Sequence, residues 1–248
     1  MFSIFKKKPK EPAELCFATD IHCHIVPGVD DGSPDAATSA ALISRMQGWG
    51  IRRILASPHV TMNTFENDRT TIDPALASLR AELDSHGMAV NIGTHAEYRI
   101  DELFERRLAE NDLMLLPDSH ILIENSFFQE PWNLDQIVFD LQVKGLRPIL
   151  AHPERYSYYY SHKDRLRTLH DAGLAMQINL LSLAGNYGKD ELKMAEYLMK
   201  NGMVDFIGTD LHKASHADCI DAYLTTSDAH SHMADLRQTV RNDSVFPA

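Results

Sequence analysis

Histidines and carboxylates recur in this chain at the ends of apolar runs, a pattern that lets side chains from separate segments close on divalent cations. Asp20-Ile21-His22-Cys23-His24 closes the first run, and His59 follows the run 53–58. Glu97 follows 90–96, Glu124 follows Ile121-Leu122-Ile123, and His152 follows Ile149-Leu150-Ala151. Asn179 ends Met176-Gln177-Ile178, and Asp210-Leu211-His212 follows 206–209. One such ending would be ordinary. Seven imply that the strand ends share a rim, and a rim of imidazoles and carboxylates without a thiolate cluster suits hard or borderline divalent metals. His22 and His24 stand two apart, so on a strand both imidazoles project to one face. Asp210-x-His212 repeats that spacing with one oxygen and one nitrogen donor. The turn-rich Pro27-Gly28-Val29-Asp30-Asp31-Gly32 throws a carboxylate back over the first strand end. Asp31 is the expected ligand there, and Asp30 is assigned to the turn itself.

The segments between the runs must position these groups. Ser33 is the expected N-cap of a first helix, with Pro34 at its first position and Gly50 as its stop. Gly87, Gly145, Gly173 and Gly202 repeat that punctuation, each followed at once by an apolar residue entering a strand. Further helices are expected over 73–86, 101–109, 134–144, 164–172, 190–201 and 235–241. Alternating strands and helices with short connections mean a parallel sheet. Polar residues at the end of every strand fit a barrel, whose site gathers at that rim. An open doubly wound sheet would leave most strand ends silent.

The 248 residues suit one large domain, and 44% hydrophobic content supports a sizeable core. A net charge of −11 argues against general nucleic-acid binding, which wants a basic stripe. Three cysteines without a close pair give no disulfide framework and point to a reducing, cytoplasmic setting. No run approaches the roughly 20 apolar residues of a membrane span. The basic start, with Lys6, Lys7, Lys8 and Lys10, lacks the apolar core of a signal peptide and reads as a flexible tail over 1–14, ahead of a domain over 15–248.

The opening motif, Asp20-Ile-His-Cys-His-x-x-Pro-Gly-x-Asp-Asp-Gly32, resembles that of the PHP (polymerase and histidinol phosphatase) superfamily. Ser57-Pro58-His59, Ala96-Glu97-Tyr98, Ala151-His152-Pro153-Glu154-Arg155-Tyr156 and Gly208-Thr209-Asp210-Leu211-His212 follow in the matching order. Together they resemble the bacterial capsule-type (CpsB-type) metal-dependent protein tyrosine phosphatases, over about residues 15–212. That resemblance implies an α/β fold, a single-domain, distorted TIM-like (β/α)7 barrel. It also implies a three-metal cluster, most readily of Mn²⁺, with Fe²⁺ or Zn²⁺ compatible with the donors. His22, His24, Glu97 and Asp210 would hold the first metal. Glu97 would bridge to a second, held also by Glu124 and His152. Asp31, His59 and His212 would hold the third.

Such a cluster neutralises a phosphomonoester dianion and activates water for in-line attack. Arg155, whose planar fork matches phosphate, is the expected clamp on the non-bridging oxygens. His59 and Asp210 complete the expected catalytic set, His59 as one group able to protonate a leaving group, alongside His216. The resemblance further implies a phosphotyrosine protein substrate, the tyrosine-rich tail of a bacterial autokinase controlling capsule or exopolysaccharide assembly. A second phosphate-binding arginine, common in this branch after Asp-x-His, has no counterpart here. Lys213 or His216 would have to stand in for it.

A thiolate mechanism is excluded, because six residues beyond Cys16, Cys23 and Cys219 stand His22, Val29 and Thr225 rather than an arginine. The tyrosine run Tyr156, Tyr158, Tyr159 and Tyr160 fits loop packing or an aromatic wall against phosphotyrosine, with Phe127, Phe128 and Trp132 as further candidates for the mouth. The competing readings are a PHP phosphoesterase for a small metabolite such as histidinol phosphate, an amidohydrolase-type barrel, and a non-catalytic phosphotyrosine-binding module. Oligomeric state is not encoded in any motif.

Overall fold

The computed structural model describes residues 11–248, and the lysine-rich segment of the expected 1–14 tail lies outside the described residues. Of the tail's last residues, Ala13 is buried and donates its backbone N–H to the carbonyl of Leu224. The fold is mixed α/β with predominantly parallel sheets. The described residues form ten strands: β1 (Thr19–Asp20), β2 (Arg53–Ala56), β3 (His59–Thr61), β4 (Phe65–Glu66), β5 (Asn91–Thr94), β6 (Glu97–Arg99), β7 (His120–Glu124), β8 (Arg147–Ala151), β9 (Ala175–Asn179) and β10 (Phe206–Gly208). The α-helices are α1 (Ala36–Gly48), α2 (Arg69–Ser85), α3 (Glu102–Glu110), α4 (Leu134–Val143), α5 (Lys163–Asp171), α6 (Leu180–Leu183), α7 (Lys189–Lys200), α8 (Ala214–Leu224), α9 (Ser227–Leu236) and α10 (Asn242–Val245).

One sheet runs β1-β2-β5 and the other β10-β9-β8-β7-β6-β3-β4, all parallel except the β3–β4 pair. The chain passes from the first sheet to the second after only two residues in both β2–β3 and β5–β6. A backbone bond also joins the sheets, His24 N–H donating to Leu211 O (2.9 Å), while Ser57 N–H donating to Cys23 O (2.9 Å) continues the pairing of β1 and β2 within the first sheet. Cys23 and Leu211 form a parallel bridge. Strand alternation splits the core. Ile21, Leu55, Leu122, Ile149, Ala151 and Phe206 pack on one face with Phe246, while Ile121, Ile123 and Leu150 join the cluster beneath the helices.

Local chemistry sets the helix bounds. The five predicted helix-ending glycines all take left-handed φ, from 65° at Gly87 and Gly202 to 97° at Gly50. The N-cap of α1 is Asp35 rather than Ser33, its carboxylate accepting the N–H of Thr38 at 2.7 Å. Ser33 is buried instead, its hydroxyl donating to the Asp35 carbonyl and accepting from the Ser39 hydroxyl of α1. Helix α2 begins at Arg69, four residues before the expected start, because Asp68 and Thr71 form a capping box and Pro74 is tolerated inside the helix. The expected helix over 235–241 is displaced: Thr226 caps Ala229, and α9 ends at Leu236.

Candidate active site

The nine predicted metal-ligating residues converge at one rim. Glu97 sits at their centre, fully buried. Its Oε1 lies 3.1 Å from His152 Nε2, and its Oε2 lies 3.0 Å from His59 Nδ1 and 3.4 Å from the Nε2 atoms of both His22 and His24. Asp210 Oδ1 is 3.5 Å from the same two Nε2 atoms. Asp31 Oδ1 lies 3.5 Å from His59 Nε2 and 3.6 Å from His212 Nε2, and Glu124 Oε1 lies 3.6 Å from His152 Nε2. Donor atoms within 4.8 Å of one another group as His22-Glu97-His152, His22-His24-Asp210, His59-Glu97-Glu124 and His24-Asp31-His59-His212. His24 thus touches two groups, and His59 stands with Glu97 and Glu124 as well as with Asp31.

The ring orientations fit cation binding. His22 donates Nδ1–H to Gln177 Oε1 at 2.6 Å, and His24 donates Nδ1–H to Asp30 Oδ2 at 2.8 Å. His212 donates Nδ1–H to the Asp210 carbonyl at 2.8 Å. Each ring therefore turns its Nε2 to the cluster, as metal-ligating histidines do when a second group fixes the ring's orientation. His22 Nε2, His24 Nε2 and Glu97 Oε2 are buried and have no hydrogen-bond partner among the described residues. Leaving such atoms unmatched costs about 1–3 kcal/mol each. A divalent cation would satisfy all three, so the donors present fit one. His152 (φ 35°) and Asp210 (φ 53°) adopt left-handed backbone that non-glycine residues rarely take, a strain concentrated at two of the donor positions.

The protein's own charges shape the site. Burial opposes a proton on His22, but the Glu97 and Asp210 carboxylates outweigh it and push its pKa up to about 9. The same contest at His24 is won by Asp30 and Glu97, which hold it well above the ordinary histidine range. Burial would raise Glu97, yet the surrounding imidazoles hold it well below the usual carboxylate range.

A cavity of about 300 Å³ opens over the cluster, lined by Asp31, His59, Glu124, Phe127, His152, Arg155, Tyr187, Asp210, His212, Lys213 and His216. Arg155 donates Nη1–H to Asp210 Oδ2 at 3.1 Å. Glu154 turns the other way, accepting from Asn179 N–H and Ser182 Oγ–H. Lys213 and His216, the candidates for a second phosphate contact, both reach this cavity.

Of the two readings of the tyrosine run, the structure takes loop packing, and none of its four tyrosines lines the cavity. Tyr156 and Tyr159 are buried, and the hydroxyls of Tyr158 and Tyr159 donate to Ser126 O and Glu130 Oε2, tying down the loop after β7. Phe128 and Trp132 point to solvent, 93% and 94% exposed, and line no part of the cavity. Of those candidates only Phe127 does, stacked 5.7 Å from the His152 ring. Three groups escaped the sequence reading, and Asp30 does more than the turn role expected of it. Tyr187 enters from the α6–α7 loop, Gln177 orients His22, Arg99 donates to Glu124 Oε2 at 2.8 Å, and Asp30 orients His24 while its other oxygen accepts the Gly32 N–H of the turn. Their signal was weak: Gln177 stands two residues before a strand-end Asn, and Arg99 two after Glu97.

The family described as Capsular polysaccharide synthesis, CpsB/CapC, matches residues 18–221, a span that contains every residue of this cluster. The chain belongs to the CpsB/CapC family. Among CpsB/CapC relatives, it is 34% identical over 194 residues to "Tyrosine-protein phosphatase YwqE" of Bacillus subtilis (strain 168), covering 78% of this chain and 76% of that one. It is 28% identical over 201 residues to "Tyrosine-protein phosphatase CpsB" of Streptococcus pneumoniae, covering 78% and 82%. A solved chain from the crystal structures of YwqE and CpsB, described as unique metal-dependent tyrosine phosphatases, superposes with a TM-score of 0.77 at 30% identity, covering 92% of this chain and 97% of that one.

Proposed function

We propose that this chain is a metal-dependent protein tyrosine phosphatase, a phosphoric monoester hydrolase that needs no cysteine nucleophile. The observation that carries the reading is the packing of four imidazoles around the single carboxylate of Glu97, with the Nε2 atoms of His22 and His24 aimed inward and without a hydrogen-bond partner among the described residues, and an arginine at the cavity's edge. His22, His24, Asp31, His59, Glu97, Glu124, His152, Asp210 and His212 would hold the cations; this nitrogen and oxygen set suits Mn²⁺, Fe²⁺ or Zn²⁺, and the capsule-type resemblance favours Mn²⁺. When bound, the cations would neutralise phosphate charge and supply an activated water. The rest of the task falls to the chain. Arg155 uses Nη1 on Asp210, and its Nε and Nη2 have no hydrogen-bond partner among the described residues. That edge is available for two oxygens of the phosphoryl group. Phe127 offers an aromatic face to the substrate ring; His59, expected to protonate the leaving group, has both ring nitrogens turned to Glu97 and Asp31, which leaves His216, outside the donor groups, to give a proton to the departing phenol.

The same reading takes the two sheets as parts of one distorted (β/α)7 barrel formed by a single domain from about residue 15. The bond from His24 to Leu211 and the Cys23–Leu211 bridge, with the separate apolar cluster around Leu122 and Ile149, support that closure. Among the described residues no helix is long and apolar enough to cross a membrane. A cytoplasmic setting and a bacterial tyrosine autokinase tail as substrate complete the proposal.

The test measures phosphate release from a phosphotyrosine peptide and from histidinol phosphate, with Mn²⁺ and after exhaustive metal removal. Metal-dependent release favouring the peptide is expected. Peptide binding without release would return the silent module, and preference for histidinol phosphate the small-metabolite enzyme.

A further inference from the structure

The α6–α7 loop carries Tyr187 between Gly185 (φ 76°) and Gly188 (φ 140°), positions where left-handed backbone turns the chain toward the rim. Its ring lies over the Arg155 guanidinium, 4.1 Å from Cζ to the ring centre. Phe127 covers the guanidinium as well, at 4.8 Å. The Tyr187 hydroxyl donates to Asp210 Oδ2 at 2.8 Å, and Asn179 Nδ2 donates to the same oxygen at 2.6 Å. Asp210 Oδ1 faces His22 and His24.

These contacts restrict what Arg155 can do. An arginine beside a carboxylate ordinarily settles into a two-pronged pair. Here Oδ1 is turned to the imidazoles and Oδ2 already receives two donors, so Arg155 makes one bond at 3.1 Å. The rings of Tyr187 and Phe127 restrain the plane of the guanidinium. We infer that Tyr187 is a positioning residue that holds Arg155 to a single bond with Asp210 and keeps its second edge presented to a phosphoryl group. The inference rests on the phosphatase reading for its substrate, but it makes its own claim about phosphate affinity.

The test uses the full chain loaded with Mn²⁺ and inorganic phosphate as the probe, titrated calorimetrically, beside kinetics on a phosphotyrosine peptide. Tyr187→Leu should weaken phosphate binding roughly tenfold, the range of a partly desolvated cation–π contact. It should raise KM more than it lowers kcat. Tyr187→Phe keeps the ring and should recover phosphate affinity to within about threefold of wild type. In an Arg155→Ala background, Tyr187→Leu should cost little more, because the two residues act through one contact. Mn²⁺ titration and thermal melting of each variant identify any loss of the cluster or of the fold. Wild-type phosphate affinity in Tyr187→Leu would overturn the inference, and so would an equal cost with and without Arg155. Failure of the wild-type protein to release phosphate from the peptide, while it still binds inorganic phosphate, would instead overturn the phosphatase reading alone.

Discussion

Replacing Asp30 tests whether the imidazoles are held as ligands or merely packed. Its side chain is fully buried, and Oδ2 accepts Nδ1–H of His24 at 2.8 Å and the backbone N–H of His59 at 3.1 Å. The first bond fixes the tautomer that turns His24 Nε2 toward Glu97 and Asp210. Removing a partner of this kind lowers metal affinity by roughly 10–100-fold, or about 1.4–2.7 kcal/mol. The net worth of a hydrogen bond to a charged group, about 1.5–3 kcal/mol, gives the same range independently. Asp30→Asn keeps an acceptor and can keep the Gly32 bond, so it belongs at the low end, near tenfold. Asp30→Ala loses both and belongs near a hundredfold. The assay is Mn²⁺ titration by calorimetry at fixed pH, with circular dichroism melts showing that each variant is folded. Wild-type metal affinity in folded Asp30→Ala would refute the reasoning, since His24 would then need no orienting partner to bind.

The raised pKa of His22 makes metal uptake compete with protons. The group is charged below about pH 9 in the metal-free protein, a ligand must be neutral, and so affinity should rise with pH up to that value. Titrations in buffers of different ionisation enthalpy should report proton release, and none released at pH 7 would contradict the assignment. Gly208 packs so closely that a Cβ would lie 2.5 Å from His22 Cβ. Gly208→Ala should therefore cost about 1–3 kcal/mol, seen as a melting temperature lower by roughly 2–12 °C. An unchanged melt together with unchanged metal affinity would show that the strand end yields easily. Because no thiolate takes part, alkylating the partly exposed Cys16 and Cys219 should leave phosphate release intact. Stoichiometric inactivation at either would defeat the cysteine-free mechanism.

Much of the site was legible because its signals are local. A period of two aligns His22 with His24 whatever the rest of the chain does. Glycines at 50, 87, 145, 173 and 202 announced the helix ends because left-handed backbone favours that residue. Helix starts were less legible where two acceptors compete, as Ser33 and Asp35 do for α1. The tyrosine run left loop packing and an aromatic wall undivided for another reason. Tyr156 and Tyr159 have the composition of a binding surface, but their burial is decided by the loop after β7 folding over them.

The sequence by itself determined the parallel α/β pattern, the donor types and the strand ends on which they sit, since each depends on spacing of a few residues. Tertiary structure alone decided the company those donors keep. It brings Gln177 to His22 across 155 positions and Tyr187 onto Asp210 across 23, and it recruits Asp30 from a turn to a ring nitrogen six residues away. Such pairings carry no periodicity, because they follow from how strands and loops close on one another in space.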